Sequence, residues 1–163
     1  LRSIFNDAWS ENWGFIPFTE EEFAELGNSL RLLLPDEFIQ IAEIDGKPAA
    51  FMVGLPNLNE VLKELNGRLL PFGWLKLINR VRKRQIRSGR IPLMGVRKQY
   101  HNTPVGLALA CLVIDAPRQA GLARGIEEVE LSWILEDNMA MRHILDKIGC
   151  EQYKRYRIYQ KLL

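Results

Sequence analysis

The chain has 163 residues, 47% of them hydrophobic and 26% charged, and its formal net charge is +2. This length predicts one domain with a sizeable core, and the balanced charge gives no global signature of a protein that binds nucleic acid or membranes. Cys111 and Cys150 form no C-x-x-C pair, so we expect no disulfide framework, no metal site and a cytoplasmic location. No apolar run approaches the roughly 20 residues that a membrane-spanning helix needs.

The N-terminal part of the chain predicts two helices. Apolar residues at helical spacing predict the first helix over residues 4–13. Thr19 followed by Glu22 is a capping-box pattern, and it predicts a second helix from residue 20 to about residue 33. Pro35 is expected to close this helix.

A hairpin and a long connection follow. Residues 38–44 and 47–55 predict two strands, and Asp45-Gly46 between them is a strong signal for a hairpin turn. The connection over residues 56–90 is long for a link between strands, and parts of it have helical spacing. We therefore expect a helical insert before the central strand. The helical parts of the insert are residues 59–65 and 74–86.

The most informative stretch is a strand, a tight loop and a helix. Residues 93–96 predict a buried strand, and the loop after it ends at Gly106. Pro104 suits the first position of a helix, with Thr103 or Asn102 as the cap. A loop that ends at a helix N-terminus directs unpaired backbone N–H groups to one point, where a phosphate can bind. An ordinary strand-to-helix connection is the alternative, because one glycine before a helix is a weak signal.

The C-terminal part predicts further strands and one helix. Pro117 is expected to kink or end the helix that follows the loop. Residues 129–135 alternate apolar and polar side chains and predict a strand. Asp137 or Asn138 is expected to cap a last helix, and the tail is expected to form one or two strands. These last elements are residues 139–148 and 152–162.

This order of elements and two motifs resemble the GNAT superfamily of N-acetyltransferases. Residues 96–109 lie where that family has its acyl-CoA pyrophosphate loop, Q/R-x-x-G-x-G/A. Residues 138–150 resemble the family's N-x-x-A-x-x-hydrophobic-Y-x-K-x-G-F run. The resemblance implies one α/β (mixed α+β) domain over residues 1–163, with a central mixed sheet of about six to seven strands flanked by helices. It places the helical insert at about residues 56–90.

The resemblance implies an acyl-CoA-dependent N-acyltransferase. In such enzymes the loop N–H groups hold the pyrophosphate, and the end of the preceding strand pairs with the pantetheine arm. The acyl group, most often acetyl, passes by direct attack in a ternary complex to an amine of a small molecule or peptide. Acetyl-CoA or another acyl-CoA is thus the implied co-substrate, and no metal is implied. The implied coenzyme-binding residues are Val96, Thr103, Val105, Gly106, Leu107 and Asn138.

The chain departs from the family pattern at five positions, and two of these are Met141 in place of the alanine and Cys150 in place of the aromatic residue of the second motif. His101 stands where the family has Gln or Arg, and it is expected to be an exposed loop residue, with a phosphate partner or a base as alternatives. Pro104 replaces the first glycine and removes one N–H donor. Leu145 replaces the tyrosine that usually protonates the departing thiolate. These departures support the alternative of a catalytically degenerate GNAT-fold binding or structural module.

Candidates for the chemistry follow from the same comparison of patterns. Glu130 could act as the general base through a water, and Tyr156 is the first candidate for the missing acid. Structural roles, at a half-exposed strand face and in packing at the end of the sheet, are the alternatives. Aromatic residues on the first helix and in the insert could form a pocket for an apolar or aromatic acceptor, although core packing is their default role. The acceptor candidates are Trp9, Trp13, Arg68 and Trp74.

Six cations lie within eleven residues at the end of the insert. Such a cluster could bind the CoA 3′-phosphate, an RNA backbone or an anionic membrane, and a solvated helix face is the favoured alternative. We expect no membrane partner and no nucleic acid. The open sheet edges and the missing initiator methionine leave open a homodimer, or a companion N-terminal domain in a longer protein that ends with this chain. The cations are Arg80, Arg82, Lys83, Arg84, Arg87 and Arg90.

Overall fold

The structure is a computed structural model, and it describes residues 1–30, 36–83, 85–131 and 133–161, with only the backbone of Leu30. The chain divides into two compact units, Leu1–Trp133 and Ile134–Leu163, and each is described by itself. The single domain over residues 1–163 stays a prediction. Several predicted features fall outside the described residues. These are the end of the second helix with Pro35, Arg84 of the basic cluster, and residue 162 at the end of the tail.

The first unit contains helices and strands in the predicted order. Its helices are α1 (Arg2–Trp9), α2 (Glu20–Leu30), α3 (Asn59–Glu64), α4 (Gly73–Arg82) and α5 (Pro104–Ala123). Its strands are β1 (Ile39–Ile44), β2 (Lys47–Pro56), β3 (Ser88–Val96) and β4 (Glu128–Leu131). Short 3₁₀ turns occupy Asp36–Phe38 and Lys98–Tyr100. The second unit contains α6 (Met139–Lys147).

The strands form one mixed sheet in the order β1-β2-β3-β4. β1 and β2 form an antiparallel hairpin, and β3 is antiparallel to β2. β4 runs parallel to β3, after the crossover through α5. This mixed α/β architecture with helices on the sheet confirms the predicted fold class.

Both faces of β2 are buried, because alternate side chains of a strand point to opposite faces of the sheet. Phe51 and Val53 pack with Ile4 and Phe5 of α1 on one face. On the other face, a second cluster joins the strand to α5. It contains Ala49, Ala50, Met52, Leu109 and Val113. The core therefore lies in two layers on either side of β2.

Local signals in the sequence produce the predicted caps and turns. The Thr19 N–H donates to the Glu22 carboxylate at 2.9 Å, and the Glu22 N–H donates to Thr19 Oγ1 at 3.2 Å. This confirms the capping box that opens α2. Asp45 and Gly46 both have positive φ, 51° and 72°, as a type I′ hairpin turn requires.

The expected helical insert is present as α3 and α4, between β2 and β3. Glu60 on α3 accepts hydrogen bonds from the backbone N–H groups of Arg87 at 3.2 Å and Ser88 at 2.7 Å, and from the Ser88 hydroxyl. These bonds attach the insert to the beginning of β3. α4 ends at Arg82, four residues before the predicted end at residue 86.

Pro117 does not end its helix, which was one of the two predicted outcomes. α5 continues through Pro117 to Ala123, and Pro117 is buried within it. A proline removes one hydrogen bond from a helix, and a kink at this position stays a prediction. Among the described residues, α5 is also the one helix long and apolar enough to cross a membrane by length and composition. Its Leu109 and Val113 pack against β2, as expected for the core helix of a sheet.

The predicted six to seven strands are not confirmed, because the sheet in the described part of the chain has four. β4 ends at Leu131 rather than residue 135, where its pairing with β3 stops. The one or two strands expected in the tail are not found in residues 152–161. A strand needs a neighbour for its backbone hydrogen bonds, and alternation in the sequence does not supply one.

Candidate functional site

The carboxyl half of β3 is open on one side. Among the described residues, β4 pairs with β3 from Ser88 to Ile91, where Ile91 is opposite Leu131. On the opposite side, β2 continues to pair with β3 as far as Val96. Within the described part of the chain, residues 93–96 therefore have a sheet neighbour on one edge and no β4 partner on the other edge.

The register shows which backbone groups of β3 face the open edge. In an antiparallel pair, successive residues direct their N–H and C=O groups alternately toward and away from the partner strand. The Arg97 N–H donates to the Ala49 carbonyl of β2 at 2.9 Å, so Gly95 also faces β2. Met94 and Val96 therefore direct their N–H and C=O groups toward the open edge.

Side chains occupy both carbonyl groups at this edge. The indole N–H of Trp9 donates to the Met94 carbonyl at 2.9 Å. His101 Nε2 lies 2.7 Å from the Val96 carbonyl, and Nε2 must carry the proton because a carbonyl oxygen only accepts. The Met94 and Val96 N–H groups are the backbone groups that remain to bind a ligand at this edge.

Trp9 reaches the edge because α1 crosses β3 closely at Gly95. A Cβ atom on Gly95 would lie 2.7 Å from the Phe51 ring and 3.0 Å from Ala8 Cβ. Glycine at this position thus allows the helix to approach the strand. The ring of Trp9 also stacks on Phe5, with 5.0 Å between the ring centroids.

The loop after β3 is capped as the sequence predicts. Thr103 is the N-cap of α5, and its Oγ1 accepts from the Gly106 N–H at 3.1 Å while its hydroxyl donates to the Tyr100 carbonyl at 2.7 Å. Pro104 takes the first helical position, where its missing N–H costs nothing. Asn102 has a positive φ of 57°, which asparagine tolerates better than most residues.

Gly106 packs directly on the loop backbone. A Cβ atom at this position would lie 2.1 Å from the Tyr100 carbonyl oxygen, which is far inside van der Waals contact. Glycine is therefore needed for the loop to close onto the helix. This steric requirement gives a physical reason for the glycine at position 106, where the chain matches the family motif.

The predicted coenzyme residues differ in what their N–H groups can still do. The Gly106 N–H is bound to Thr103 Oγ1, and the Leu107 N–H donates to the Thr103 carbonyl at 3.1 Å. The Val105 N–H has no acceptor among the described residues, and it lies in the first turn of α5. Val105 and the β3 edge at Val96 thus keep donors, whereas Gly106 and Leu107 shape the loop.

The beginning of the loop is attached to α1. The Lys98 N–H donates to the Asp7 carboxylate at 2.9 Å, and Lys98 Nζ donates to Glu11 Oε1 at 2.7 Å. Arg97 Nη2 donates to Ser3 Oγ at 2.8 Å. The Lys98 contact lowers the pKa of the Glu11 carboxyl. Sequence reasoning missed these anchors, because their partners lie about ninety positions apart in the chain.

Glu130 is the next-to-last residue of β4, beside the point where β3 and β4 separate. It pairs with Arg90 directly across the strands, and its Oε1 lies 3.7 Å from Arg90 Nη2. The Arg90 guanidinium also lies 5.7 Å from the centre of the Trp133 ring. The pair is adjacent along the strands to the pair of Ile91 with Leu131.

The predicted acceptor residues have separate surroundings. Trp9 contacts β3 as described, and Trp13 is 77% exposed beyond the end of α1. The Trp74 indole N–H donates to the Pro71 carbonyl at 3.1 Å within the insert, and Arg68 is exposed in the same loop. Only Trp9 is placed at the open edge by a direct contact. Two further rings pack on Phe5, with distances between ring centroids of 5.7 Å to Phe15 and 5.3 Å to Phe18.

The second unit holds two further predicted residues. Asn138 caps α6, and its Oδ1 accepts from the Met141 N–H at 3.2 Å, which confirms its predicted capping role. Tyr156 is 64% exposed. Burial and the nearby Asp146 carboxylate raise the pKa of the Cys150 thiol, which disfavours a nucleophilic thiolate. Among the described residues, no group of three or more His, Cys, Asp or Glu side chains could hold a metal ion.

Two curated proteins are similar to the chain over its whole length. Protein YghO of Escherichia coli (strain K12) is 53% identical over 161 residues, which are 99% of this chain and 41% of that protein. Bacterial ceramide synthase of Caulobacter vibrioides (strain NA1000 / CB15N) is 44% identical over 163 residues, which are 100% of this chain and 42% of that protein. The chain thus spans about two-fifths of the length of these relatives. No family model matches the chain.

Solved acetyltransferases have the same fold. AAC(6')-Iy, in complex with the bisubstrate analog CoA-S-monomethyl-acetylneamine, matches 99% of this chain and 89% of its own chain with a TM-score of 0.57 and 18% identity. A putative acetyltransferase from Agrobacterium tumefaciens matches 98% of this chain and 93% of its own, with a TM-score of 0.58 and 16% identity. Ard1 from Thermoplasma volcanium matches 90% of this chain and 73% of its own chain, with a TM-score of 0.56 and 14% identity. At these identities the likeness shows the fold alone, and it confirms the predicted GNAT fold.

Proposed function

We propose that this chain, which has the fold of the GNAT superfamily of N-acetyltransferases, is an acyl-CoA-dependent N-acyltransferase. The observation that carries the proposal is the open carboxyl half of β3. Its unpaired edge at Met94 and Val96 leads directly into the capped loop and the N-terminus of α5. An extended arm and its anionic end could bind along this continuous line.

The pantetheine arm would bind as a partial strand against β3. The Met94 and Val96 N–H groups would donate to its amide carbonyls, since the two β3 carbonyls already accept from Trp9 and His101. The pyrophosphate would lie at the beginning of α5, where the Val105 N–H and the positive end of the helix dipole favour an anion. Thr103, Gly106 and Leu107 would hold the loop in shape.

The reaction would be direct transfer. The amine nitrogen attacks the thioester carbonyl carbon, the C–N bond forms, the C–S bond breaks, and the CoA thiolate leaves. We propose that Glu130 takes the amine proton through a water. The sequence-based candidate for the proton donor to the thiolate stays Tyr156. The raised pKa of Cys150 and the position of Cys111 on an exposed helix face support transfer without a cysteine intermediate.

The acceptor that we propose is a long-chain amino alcohol. The similarity to a bacterial ceramide synthase covers the whole chain at 44% identity, and a ceramide is the amide of a long-chain amino alcohol and a fatty acid. Trp9 contacts the open edge and stacks on Phe5, and the partly buried rings of Phe15 and Phe18 pack on the same Phe5 ring. We propose that the alkyl chain lies against these partly buried rings. A long acyl-CoA is then the expected donor. Trp13, Arg68 and Trp74 remain candidates for acceptor contacts.

The second candidate function is a binding module that retains the coenzyme but not the chemistry. It is favoured by the loss of loop donors, because Pro104 has no N–H and the Gly106 N–H is already bound. This candidate predicts thermal stabilisation by CoA without amide formation from any acceptor. Asn138 is then a helix cap rather than a coenzyme contact.

The coenzyme site can be tested by calorimetric titration of the protein with acetyl-CoA and with a longer acyl-CoA. We expect micromolar binding that is lost in Gly106→Glu, because a side chain at this position would meet the Tyr100 carbonyl oxygen and displace the loop. An absence of binding at millimolar concentrations of both coenzymes would contradict the proposal.

The chemistry can be tested by mass spectrometry of the amide formed from an acyl-CoA and a sphingoid base. Glu130→Gln is expected to lower the turnover number about 10²- to 10⁴-fold, with little change in coenzyme affinity, because it removes a general base. Glu128→Gln, on the same strand, is the matched control and should keep the original rate. Equal rates in both variants would remove Glu130 from the mechanism.

A further inference from the structure

The insert between β2 and β3 carries large apolar side chains that face solvent. Leu70 is 81% exposed and Phe72 is 71% exposed. Single exposed apolar residues are ordinary, but a group of them marks an interaction site. The group, named here the insert surface, comprises Leu69, Leu70, Phe72, Trp74, Leu75 and Ile78.

The insert surface is held on ordered backbone. The Trp74 N–H donates to the Leu69 carbonyl at 2.9 Å, and the Leu75 N–H donates to the Phe72 carbonyl at 3.1 Å. The Trp74 indole N–H donates to the Pro71 carbonyl at 3.1 Å. The loop is therefore folded onto the first turn of α4, and its apolar side chains project from a single compact element.

α4 has two apolar stripes, and the stripe that belongs to the insert surface is exposed to solvent. Leu77 and Val81, four residues apart, are its partly buried apolar positions. Trp74 and Ile78, also four residues apart, lie on a neighbouring stripe that is exposed. The helix is fixed by Glu64 of α3, which forms ion pairs with Lys76 and Arg80.

The charges around the insert surface have one sign. Residues 66–83 contain five Lys or Arg and no Asp or Glu. Lys76 and Arg80 pair with Glu64, whereas Arg68, Arg82 and Lys83 are exposed. An exposed apolar group bordered by cations is complementary to a surface that is apolar inside and anionic at its boundary.

We propose that the insert surface docks on an anionic lipid bilayer. Leu70, Phe72 and Trp74 would enter the region between headgroups and acyl chains, as the apolar face of an interfacial amphipathic helix does, and indole rings favour that depth. Arg68 and Arg82 would lie against the lipid phosphates. This proposal replaces the expectation from composition that the chain has no membrane partner.

Two other occupants fit the surface less well. A second copy of the chain would bring two cationic borders together, which disfavours association. A single-stranded nucleic acid is bound by exposed aromatic rings interleaved with cations along a groove, whereas here the apolar side chains are grouped and mainly aliphatic. Docking goes beyond the proposed acyl transfer and depends on the insert alone.

The test is flotation of the purified protein with vesicles of phosphatidylglycerol and phosphatidylcholine, compared with phosphatidylcholine alone. We expect binding to the anionic vesicles, reduced about a hundredfold or more in Leu70→Ser with Phe72→Ser, because each buried side chain of this size contributes about a factor of ten or more. Ile16→Ser is the control, since Ile16 is 80% exposed outside the insert, and it should float like the original protein.

A second pair of variants tests the cations. Arg82→Gln with Lys83→Gln should weaken binding to the anionic vesicles by about 25-fold at low salt, because each of the two cations near an anionic surface contributes about a factor of five. Glu130→Gln should still float, so that a failure of docking and a failure of acyl transfer remain distinguishable. The proposal is overturned if the serine variant floats as well as the Ile16→Ser control, or if no protein floats. It is also overturned if the serine variant loses only dimerisation or salt-sensitive RNA binding.

Discussion

The two regions at the ends of β3 hold their exposed groups in opposite ways. At the carboxyl end, residues 97–106 bind most of their own N–H groups through the Thr103 cap, the Tyr100 carbonyl and the Asp7 carboxylate. At the amino end, the insert is fixed by two carboxylates, Glu60 and Glu64, and directs apolar side chains outward. The rigid loop, with few N–H donors left to bind a ligand, suits one ligand in one pose. The exposed apolar face of the insert suits contact with an extended surface.

The variant with the largest expected effect disrupts the loop after β3 and leaves the insert intact. Gly106→Ala places a Cβ atom against the Tyr100 carbonyl, so the loop must move. We expect a loss of about 2–4 kcal/mol in the free energy of unfolding, as for overpacking or backbone strain at a buried site, together with loss of acetyl-CoA binding. Urea unfolding and calorimetry would measure the two effects.

Gly27→Ala is the matched control for this prediction. Gly27 lies within α2, and a Cβ atom there would have no neighbour within 4 Å. Alanine is favoured over glycine in a helix by up to about 1 kcal/mol, so this variant should be neutral or more stable. If Gly106→Ala were as stable as Gly27→Ala, the close packing of the loop would be wrong.

The variant with the next largest expected effect, at Glu60, weakens the attachment of the insert to β3 and leaves the loop after β3 intact. Burial raises the pKa of the Glu60 carboxyl, but the hydrogen bonds from Ser88 and from the backbone N–H of Arg87, with the charge of Arg80, lower it more. The net pKa is below the ordinary value of 4.5. A depressed folded pKa stabilises the protein above the unfolded pKa, and this contribution is lost as the pH falls through the folded pKa.

Glu60→Gln should therefore destabilise the protein by about 1–3 kcal/mol at neutral pH, as expected for hydrogen bonds to a charged group. The difference from the original protein should shrink as the pH falls below about 4.5. Thermal unfolding between neutral and acidic pH would measure it, with the exposed Glu25→Gln as control. A difference that stayed constant with pH would contradict a role for the carboxylate charge.

The variant with the smallest expected effect removes one side-chain hydrogen bond from the loop without displacing its backbone. Thr103→Ala removes the cap that accepts from the Gly106 N–H, which costs about 1 kcal/mol of stability. Thr19→Ala removes the equivalent cap of α2 and should cost a similar amount. Only the Thr103 variant should weaken acetyl-CoA binding in a calorimetric titration. Equal coenzyme affinity in both variants would separate the cap from the coenzyme site.

Features set by neighbouring residues could be predicted from the sequence. The capping box at Thr19, the hairpin turn at Asp45-Gly46 and the cap at Thr103 each depend on a few adjacent positions, and all three form. The continuation of α5 past Pro117 and the early end of β4 depend on packing and pairing partners elsewhere in the fold. Those partners are not encoded locally, and the predicted helix end at Pro117 and strand end at residue 135 were wrong.

The same distinction applies to the site. The loop and its glycine were found from a motif, because the turn itself requires them. The contact of Trp9 with the Met94 carbonyl joins residues 85 positions apart, and no local pattern indicates that a side chain occupies a strand carbonyl. The pairing of Glu130 with Arg90 follows from the register of β3 and β4, which the sequence alone does not fix.

The most direct test of the coenzyme site is an NMR titration of isotope-labelled protein with acetyl-CoA, followed at the backbone amides. We predict that the largest shifts at saturation fall on Met94, Val96 and Val105, whose N–H groups face the open edge and the beginning of α5. Shifts confined to the basic helix α4, or no shifts at millimolar acetyl-CoA, would contradict a coenzyme site on the open edge of β3.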